Sequence, residues 1–282
     1  MRHSKAKKSF EGQVIMVTGA SMGVGLEAAR LFHAQGAQVV LTARRQQPLS
    51  DAAASMPGAH TIAFDACDVE ASACAFAQIK ELYGRLDGLV NNAGAHYRGA
   101  FATRTTSEYA TMVDVNLRAP VTLTHQALGM LTDSRGFVVN VASLAGKVPL
   151  DGAAVYSATK FGLRALTYAL AEELRPAGVR VSVVSPGPID TGFIMDELET
   201  VEPVVFSQTM CSASDVARMI VACAQDGAVE REFPATGAKL ATLGYLLPSL
   251  RRRIKPALER KGQRVKARLL RQKQARSGSS DK

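Results

Sequence analysis

Val14-Ile15-Met16-Val17-Thr18-Gly19-Ala20-Ser21-Met22-Gly23-Val24-Gly25 decides how this chain folds. Four unbroken apolar residues run into a threonine and a glycine-rich turn. A helix-like stretch, Ala28 to Gln35, follows and is closed by Gly36. An apolar run without alternation is the mark of a strand buried on both faces. The glycines let the backbone turn tightly and lie close against a pyrophosphate. The helix beyond them offers unpaired N–H groups and a partial positive charge. Strand, glycine turn and helix in that order point to a dinucleotide site.

The alternation continues outward from this unit. Val39 to Thr42, Thr61 to Phe64, Leu86 to Val90, Gly136 to Val141 and Val179 to Val184 are further strand-like runs, with Arg231 to Phe233 as a seventh. Helix-like stretches separate them, which predicts right-handed βαβ crossovers and a parallel sheet. The expected class is therefore α/β, a doubly wound parallel sheet of six or seven strands with a C-terminal helical basic extension. No repeat or linker interrupts residues 10–235, which read as one catalytic domain. Residues 1–9 read as a basic N-terminal tail, 236–276 as an apolar and then basic helical extension, and 277–282 as a disordered tail.

Composition narrows the function classes. Of the 282 residues, 47% are apolar, enough for a sizeable core. Cys67, Cys74, Cys211 and Cys223 form no C-x-x-C pair and have no histidine at ligand spacing, so they read as free thiols with no metal site. No apolar run reaches the ~20 residues of a membrane span. Met1 to Lys8 is basic but precedes no signal-like apolar stretch. A cytoplasmic protein is expected. The net charge of +9 is uneven: residues 251–276 hold twelve basic side chains and one acid, Glu259, and residues 1–8 hold four more. Residues 9–250 are therefore net negative. The high pI belongs to the ends, and nucleic-acid binding by the body is not expected.

The second strand runs into Arg44 and Arg45. An acidic residue here would bond the ribose 2′-hydroxyl of NAD. Two arginines suit a 2′-phosphate instead, so the expected cofactor is NADP(H). Further along, Tyr156 and Lys160 are spaced i and i+4 at the start of a long helical stretch, so they share one face. A cation so placed is expected to lower the tyrosine pKa from ~10 and let Tyr156 exchange a proton with an alkoxide. Ser143, after the fifth strand, could donate to the same oxygen.

The spacing Thr18-Gly19-x-x-x-Gly23-x-Gly25, with Ser143, Tyr156 and Lys160, resembles the short-chain dehydrogenase/reductase family, in its compact single-domain branch. The resemblance spans residues 12 to about 235 and implies a Rossmann-type fold. It implies a catalytic set of Asn116, Ser143, Tyr156 and Lys160, with Asn116 holding a water that links the lysine to solvent. It implies cofactor contacts from Gly19, Ser21, Met22, Gly23, Val24 and Gly25, from Asp68 and Val69 at the adenine edge, and from Asn92, Ala93 and Gly94 after the fourth strand. Tyr156 and Lys160 would also touch the cofactor. Pro186, Gly187 and Ile189 would face the nicotinamide, and Thr191 its carboxamide. The implied chemistry is hydride transfer between NADP(H) and a ketone or secondary alcohol. A homodimer or homotetramer is implied as well.

For the substrate pocket the candidates are Ala95, His96, Tyr97, Leu144, Val148, Pro149, Leu150 and the stretch 192–206, whose apolar content suits a lipid-like or otherwise apolar carbonyl. The apolar and then basic run of residues 240–276 has three readings: an anionic membrane surface, which would place the protein on the inner face of a membrane, a helix pair packed on the body or on a partner subunit, or an acidic partner. No aromatics interleave the charges as base stacking would require. The competing function is a non-catalytic NADP-binding regulatory protein on the same fold.

Overall fold

Alternate side chains of each central strand enter opposite layers, and both layers are apolar. In the computed structural model, which describes residues 9–190, 198–199 and 201–277, seven parallel strands form one sheet. They are β1 Val14–Thr18, β2 Gln38–Ala43, β3 His60–Ala63, β4 Gly88–Asn91, β5 Phe137–Val141, β6 Arg180–Pro186 and β7 Glu230–Phe233. Their order is β3-β2-β1-β4-β5-β6-β7. The α/β class and the seventh strand are as the sequence indicated. Expectations placed on residues 1–8, on Thr191, on 192–197 of the pocket stretch and on 278–282 lie outside the described residues.

Between the strands run α1 Gly23–Ala34, α2 Gln46–Ala53, α3 Val69–Tyr83, α4 Thr106–Val113, α5 Ala119–Ser134, α6 Ala154–Glu173 and α7 Ala213–Asp226. Ile15, Val17, Val39, Leu41 and Val139 pack against α1 and α7 on one face. Val14, Met16, Val40, Leu89 and Val138 pack against α3 and α5 on the other. Each such side chain, fully removed from water, contributes roughly 1.5–3 kcal/mol. Two-sided burial is why these strands read as continuous apolar runs.

The strand order reverses between β1 and β4, and there the carboxyl ends of neighbouring strands part to leave a crevice. The Gly19 turn and the Asn92 turn both emerge at this point. Every candidate catalytic group lies on segments that follow a strand's carboxyl end.

The extension forms α8 Ala235–Leu246 and α9 Pro248–Ser277. Pro248 opens α9, where its missing N–H costs nothing, and Pro256 lies inside it. At Gly262 a Cβ would overlap the Pro203 carbonyl. Glycine there lets α9 lie directly on the short 3₁₀ turn Pro203–Ser207. Val265, Leu269 and Leu270 pack against Leu198, Val201 and Phe206. Lys266 Nζ donates to the carbonyls of Glu199 at 2.7 Å and Val201 at 2.8 Å. The extension is thus docked on the body.

Candidate active site

Ser143 stands on the turn after β5, in extended backbone, and its Oγ accepts from the Ala145 N–H at 3.1 Å. The same hydroxyl faces the Tyr156 phenol closely enough to lower its pKa. Tyr156 and Lys160 occupy successive turns on the inner face of α6, and both are buried. The Lys160 Nζ lies 5.7 Å from the centre of the Tyr156 ring and donates to the Val141 carbonyl at 2.9 Å.

Burial raises the Tyr156 pKa above its ordinary value; the Ser143 hydroxyl and the charge of Arg98 pull it down without overcoming burial. Burial also pushes Lys160 down to about 8. The sequence expectation that Lys160 lowers the Tyr156 pKa is therefore corrected. Both groups are desolvated, and the ammonium is directed at a backbone carbonyl, so the phenol is held in its neutral form. A neutral phenol is a proton donor.

Asn116 sits in a π turn, Asp114–Arg118, that widens the helix between α4 and α5. Its Nδ2 donates to the Ala95 carbonyl at 2.8 Å and to Thr159 Oγ1 at 3.3 Å, and its Oδ1 accepts from the Ala95 N–H at 2.9 Å. The side chain braces the exit of β4 against α6, beside the lysine.

The glycine turn has the shape of a phosphate cradle. Gly19 and Gly23 have positive φ, at 63° and 58°. A Cβ on Gly25 would meet the Gly19 carbonyl and, at 2.5 Å, Asn92 Nδ2. The Asn92 side chain donates to the carbonyls of Thr18 at 2.9 Å and Gly19 at 3.2 Å. Thr18 Oγ1 in turn accepts from the N–H groups of Asn92 and Ala93, each at 3.0 Å. The turn at Asn92, Ala93 and Gly94 is thus stitched to the turn that holds Ser21, Met22 and Val24. The N-cap of α1, Met22, makes no side-chain cap and no acid stands in the first turn, so the first N–H groups remain available to an anion. Arg44 and Arg45 are exposed just beyond Thr42, which pairs with Thr18 across the sheet. The turn fits a dinucleotide pyrophosphate in shape, and the two arginines set positive charge beside it.

Two other assignments gain a local role. Asp68 caps α3, accepting from the N–H groups of Glu70 at 3.0 Å and Ala71 at 2.9 Å, with Val69 as the first helical residue. Beyond Pro186, Gly187 N–H donates to the Phe233 carbonyl at 2.7 Å, and Ile189 bridges to Cys211.

A pocket opens over Tyr156 and Ser143. His96, Leu144, Val148, Pro149 and Leu150 line it as the sequence suggested, with Val204 and Val205 from the variable stretch. Tyr97 borders a separate groove beside Phe101 and Tyr109, and Phe206 is buried in the packing under α9. The His96 ring stacks on Tyr156, with centroids 3.9 Å apart and planes 11° from parallel. Burial first, then the charges of Arg98, Lys160 and Arg104, push its pKa down to about 2, so the ring is neutral. Several lining residues had no sequence signal. Arg98 is a buried cation in the wall. Gln208 lies beyond the variable stretch. Leu240, Ala241, Gly244, Ile254 and Leu258 come from α8 and α9, for which the sequence allows packing on the body as one of three readings.

The motif order, the sheet topology and the clustered Ser143, Tyr156 and Lys160 agree with a family model described as short chain dehydrogenase, which matches residues 13–202. The chain belongs to this family. Among its relatives, the rat dehydrogenase/reductase SDR family member 7B is 34% identical over 202 residues, covering 68% of this chain and 62% of that protein. The chain thus spans less than two thirds of that relative. A serine 3-dehydrogenase of Agrobacterium fabrum is 38% identical over 183 residues, 64% of this chain and 74% of that one. Among solved structures, a metagenomic short-chain oxidoreductase in complex with NADP superimposes with a TM-score of 0.67 at 33% identity, covering 79% of this chain and 97% of that one. A Streptomyces avermitilis short-chain dehydrogenase gives 0.73 at 28% identity, over 86% and 95%. Helices α8 and α9 lie beyond the stretch that the family model matches.

Proposed function

We propose that the chain is an NADP(H)-dependent carbonyl reductase or alcohol dehydrogenase acting on an apolar ketone or secondary alcohol, with Tyr156 as acid/base. The observation that carries this reading is Ser143 and Tyr156 side by side in the lining of an apolar pocket, with Lys160 one turn away. Names of relatives that are dehydrogenases or reductases support it. NADP in a similar solved structure, with Arg44 and Arg45 beside the glycine turn, supports the phosphorylated cofactor.

The glycine turn, the first N–H groups of α1 and the two arginines would hold the cofactor's phosphates. Pro186, Gly187 and Ile189 would border the nicotinamide end. Bound there, the nicotinamide supplies the hydride. The chain's own groups do the rest. Ser143 and Tyr156 orient and polarise the substrate oxygen, and the neutral Tyr156 releases its proton to that oxygen as it gains charge. Lys160 sits behind the phenol, and Asn116 holds the backbone at Ala95 that borders it. A phenol raised by burial is set for the reductive direction, where it must arrive protonated.

The test is NADPH oxidation over a panel of apolar ketones, with Tyr156→Phe as partner variant. The phenylalanine enzyme should lose roughly 10²–10⁴-fold in kcat, the usual worth of a positioned general acid. Equal rates would remove Tyr156 from the role. Binding of NADPH without turnover of any ketone, by a chain that carries all four groups, would favour the regulatory reading instead. Replacing both Arg44 and Arg45 by serine should raise the KM for NADPH and leave that for NADH nearly unchanged.

A further inference from the structure

The segment after the sheet has two differently used sides. Its inner side walls the pocket through Leu240, Ala241, Gly244, Ile254 and Leu258. Its outer side bears the largest run of exposed apolar side chains in the second half of the chain. Leu243, Leu246, Leu247 and Leu250 fall within eight residues at the corner between α8 and α9, and Leu246 and Leu247 are 67% and 46% exposed, while Tyr245 packs beside Phe161 of the body. A contiguous apolar patch on a surface marks a contact with something apolar.

What adjoins the patch identifies the partner. Arg252 and Arg253 are exposed immediately after it. Beyond Pro256, Arg260, Lys261, Arg264, Arg268 and Arg271 are all exposed. At 3.6 residues per turn these five fall within about 100° of the α9 circumference. That stripe is turned away from Gly262, Val265 and Leu269, which face the body. None of the five is paired with an acid among the described residues. Glu259, the one acid in α9, is paired with Lys255. Residues 9–250 are net negative, so the positive charge is gathered on this helix and on residues 1–8. An apolar knob joined to an unneutralised basic stripe matches an acyl layer beneath anionic headgroups. No helix among the described residues is long and apolar enough to cross a membrane, so contact here is with the surface.

We propose that the corner between α8 and α9 docks on an anionic bilayer, with Leu246, Leu247 and Leu250 among the acyl chains and the α9 stripe against the headgroups. Because the same segment walls the pocket, docking holds the pocket mouth at the lipid surface. The consequence for substrate, a carbonyl compound resident in the bilayer, rests on the reductase reading above; the docking itself does not.

The experiment is co-sedimentation of the full chain with phosphatidylcholine vesicles, with and without phosphatidylserine, at low and raised salt. The chain should sediment with the anionic vesicles at low salt, and be released by salt. Two variants confined to exposed side chains test the two halves: Leu246→Glu with Leu247→Glu, and Arg260→Glu with Arg264→Glu and Arg268→Glu. Each should weaken binding by at least ~10-fold, the first by putting charge in place of inserted apolar side chains and the second by removing attraction to the anionic headgroups. Both should retain the wild-type circular dichroism and the wild-type rate on a small water-soluble ketone without vesicles. No binding to anionic vesicles, or binding indifferent to both variants, overturns the proposal. So does a patch variant that changes the oligomeric state of a chain that ignores vesicles, which would make the corner an interface between copies. Failure of the reductase reading would show separately, as vesicle binding by a chain that turns over no ketone.

Discussion

Two buried charges, Lys160 and Glu230, are treated in opposite ways. Lys160 is 4% exposed, and its ammonium donates to one carbonyl, that of Val141, at 2.9 Å. Burial drives its pKa from 10.5 down to about 8. The Glu230 side chain is 9% exposed. Burial would raise it too, but bonds from Arg164 at 2.9 and 2.8 Å, from the Ser185 hydroxyl at 2.7 Å and from the Tyr168 hydroxyl at 2.8 Å outweigh burial and hold it at about 2. Lys147, from the turn after Ser143, approaches the same carboxylate at 3.4 Å and pairs with Glu232. One charge is kept where the fold resists it, as expected of a group retained for chemistry. The other is surrounded by partners and ties β7 to α6 and to the Ser143 turn.

The sharpest test of the contrast replaces each charge. Lys160→Met should lower kcat by ~10²-fold or more if the lysine serves the proton transfer. Its stability at neutral pH should match or exceed wild type, because the desolvation penalty goes with the charge and offsets the lost bond to Val141. A large fall in Tm would make Lys160 a structural ion and erase the difference. Glu230→Ala should behave inversely. It leaves Arg164 without its carboxylate and Lys147 with Glu232 alone, at a cost of about 3–5 kcal/mol in urea unfolding. The folded variant should keep its kcat within a few-fold.

Titration separates the two sites more finely. The Glu230 pKa is depressed on folding, so its stabilisation is complete above its ordinary 4.5 and is lost as pH falls through about 2. That limb should be absent in Glu230→Ala. The Lys160 pKa is also depressed, but for a cation the sign is reversed. Between about 8 and 10.5 the unfolded chain binds the proton more tightly than the folded one, so stability rises with pH across that window. A shift of that size amounts to about 3 kcal/mol. The rise should vanish in Lys160→Met, and a flat wild-type profile over this range would mean that the buried lysine is better solvated than its surroundings suggest.

The same contrast explains what could be read from the chain. Two-sided burial wrote β1, β2 and β5 as unbroken apolar runs. The phosphate cradle was legible because it needs glycine at positive φ and at a close approach. Tyr156 and Lys160 were legible because helix geometry fixes what i and i+4 share. What depended on distant segments was not legible. The ordinary effect of a neighbouring lysine was expected at Tyr156, yet burial by residues far along the chain reversed it. Arg98 carries no motif, and only the fold turns it into the pocket. By spacing Leu258, Val265 and Leu269 share one helix face, but nothing in that spacing says that Leu258 lines a pocket while Val265 and Leu269 clamp the turn at Pro203.

The smallest expected effect lies at the pocket mouth, where a charge is solvated instead of buried. Asp151 receives Arg251 at 3.3 Å and also Lys255, tying the turn before α6 to α9. The Lys255 hydrogen bond holds its carboxyl below the usual range, against burial that would raise it. The aspartate is 57% exposed, so water screens both pairs. Asp151→Asn should therefore change stability by only about 0.2–1 kcal/mol, far less than Glu230→Ala. Its effect should fall on substrate instead. Without the carboxylate, Arg251 faces the mouth with its charge uncompensated and Lys255 keeps only Glu259. The KM for a ketone bearing a carboxylate or phosphate should fall several-fold, that for a neutral ketone of similar size should not move, and raised salt should abolish the difference. A loss of stability comparable to that of Glu230→Ala would show that exposure is a poor guide to which charges hold this fold together.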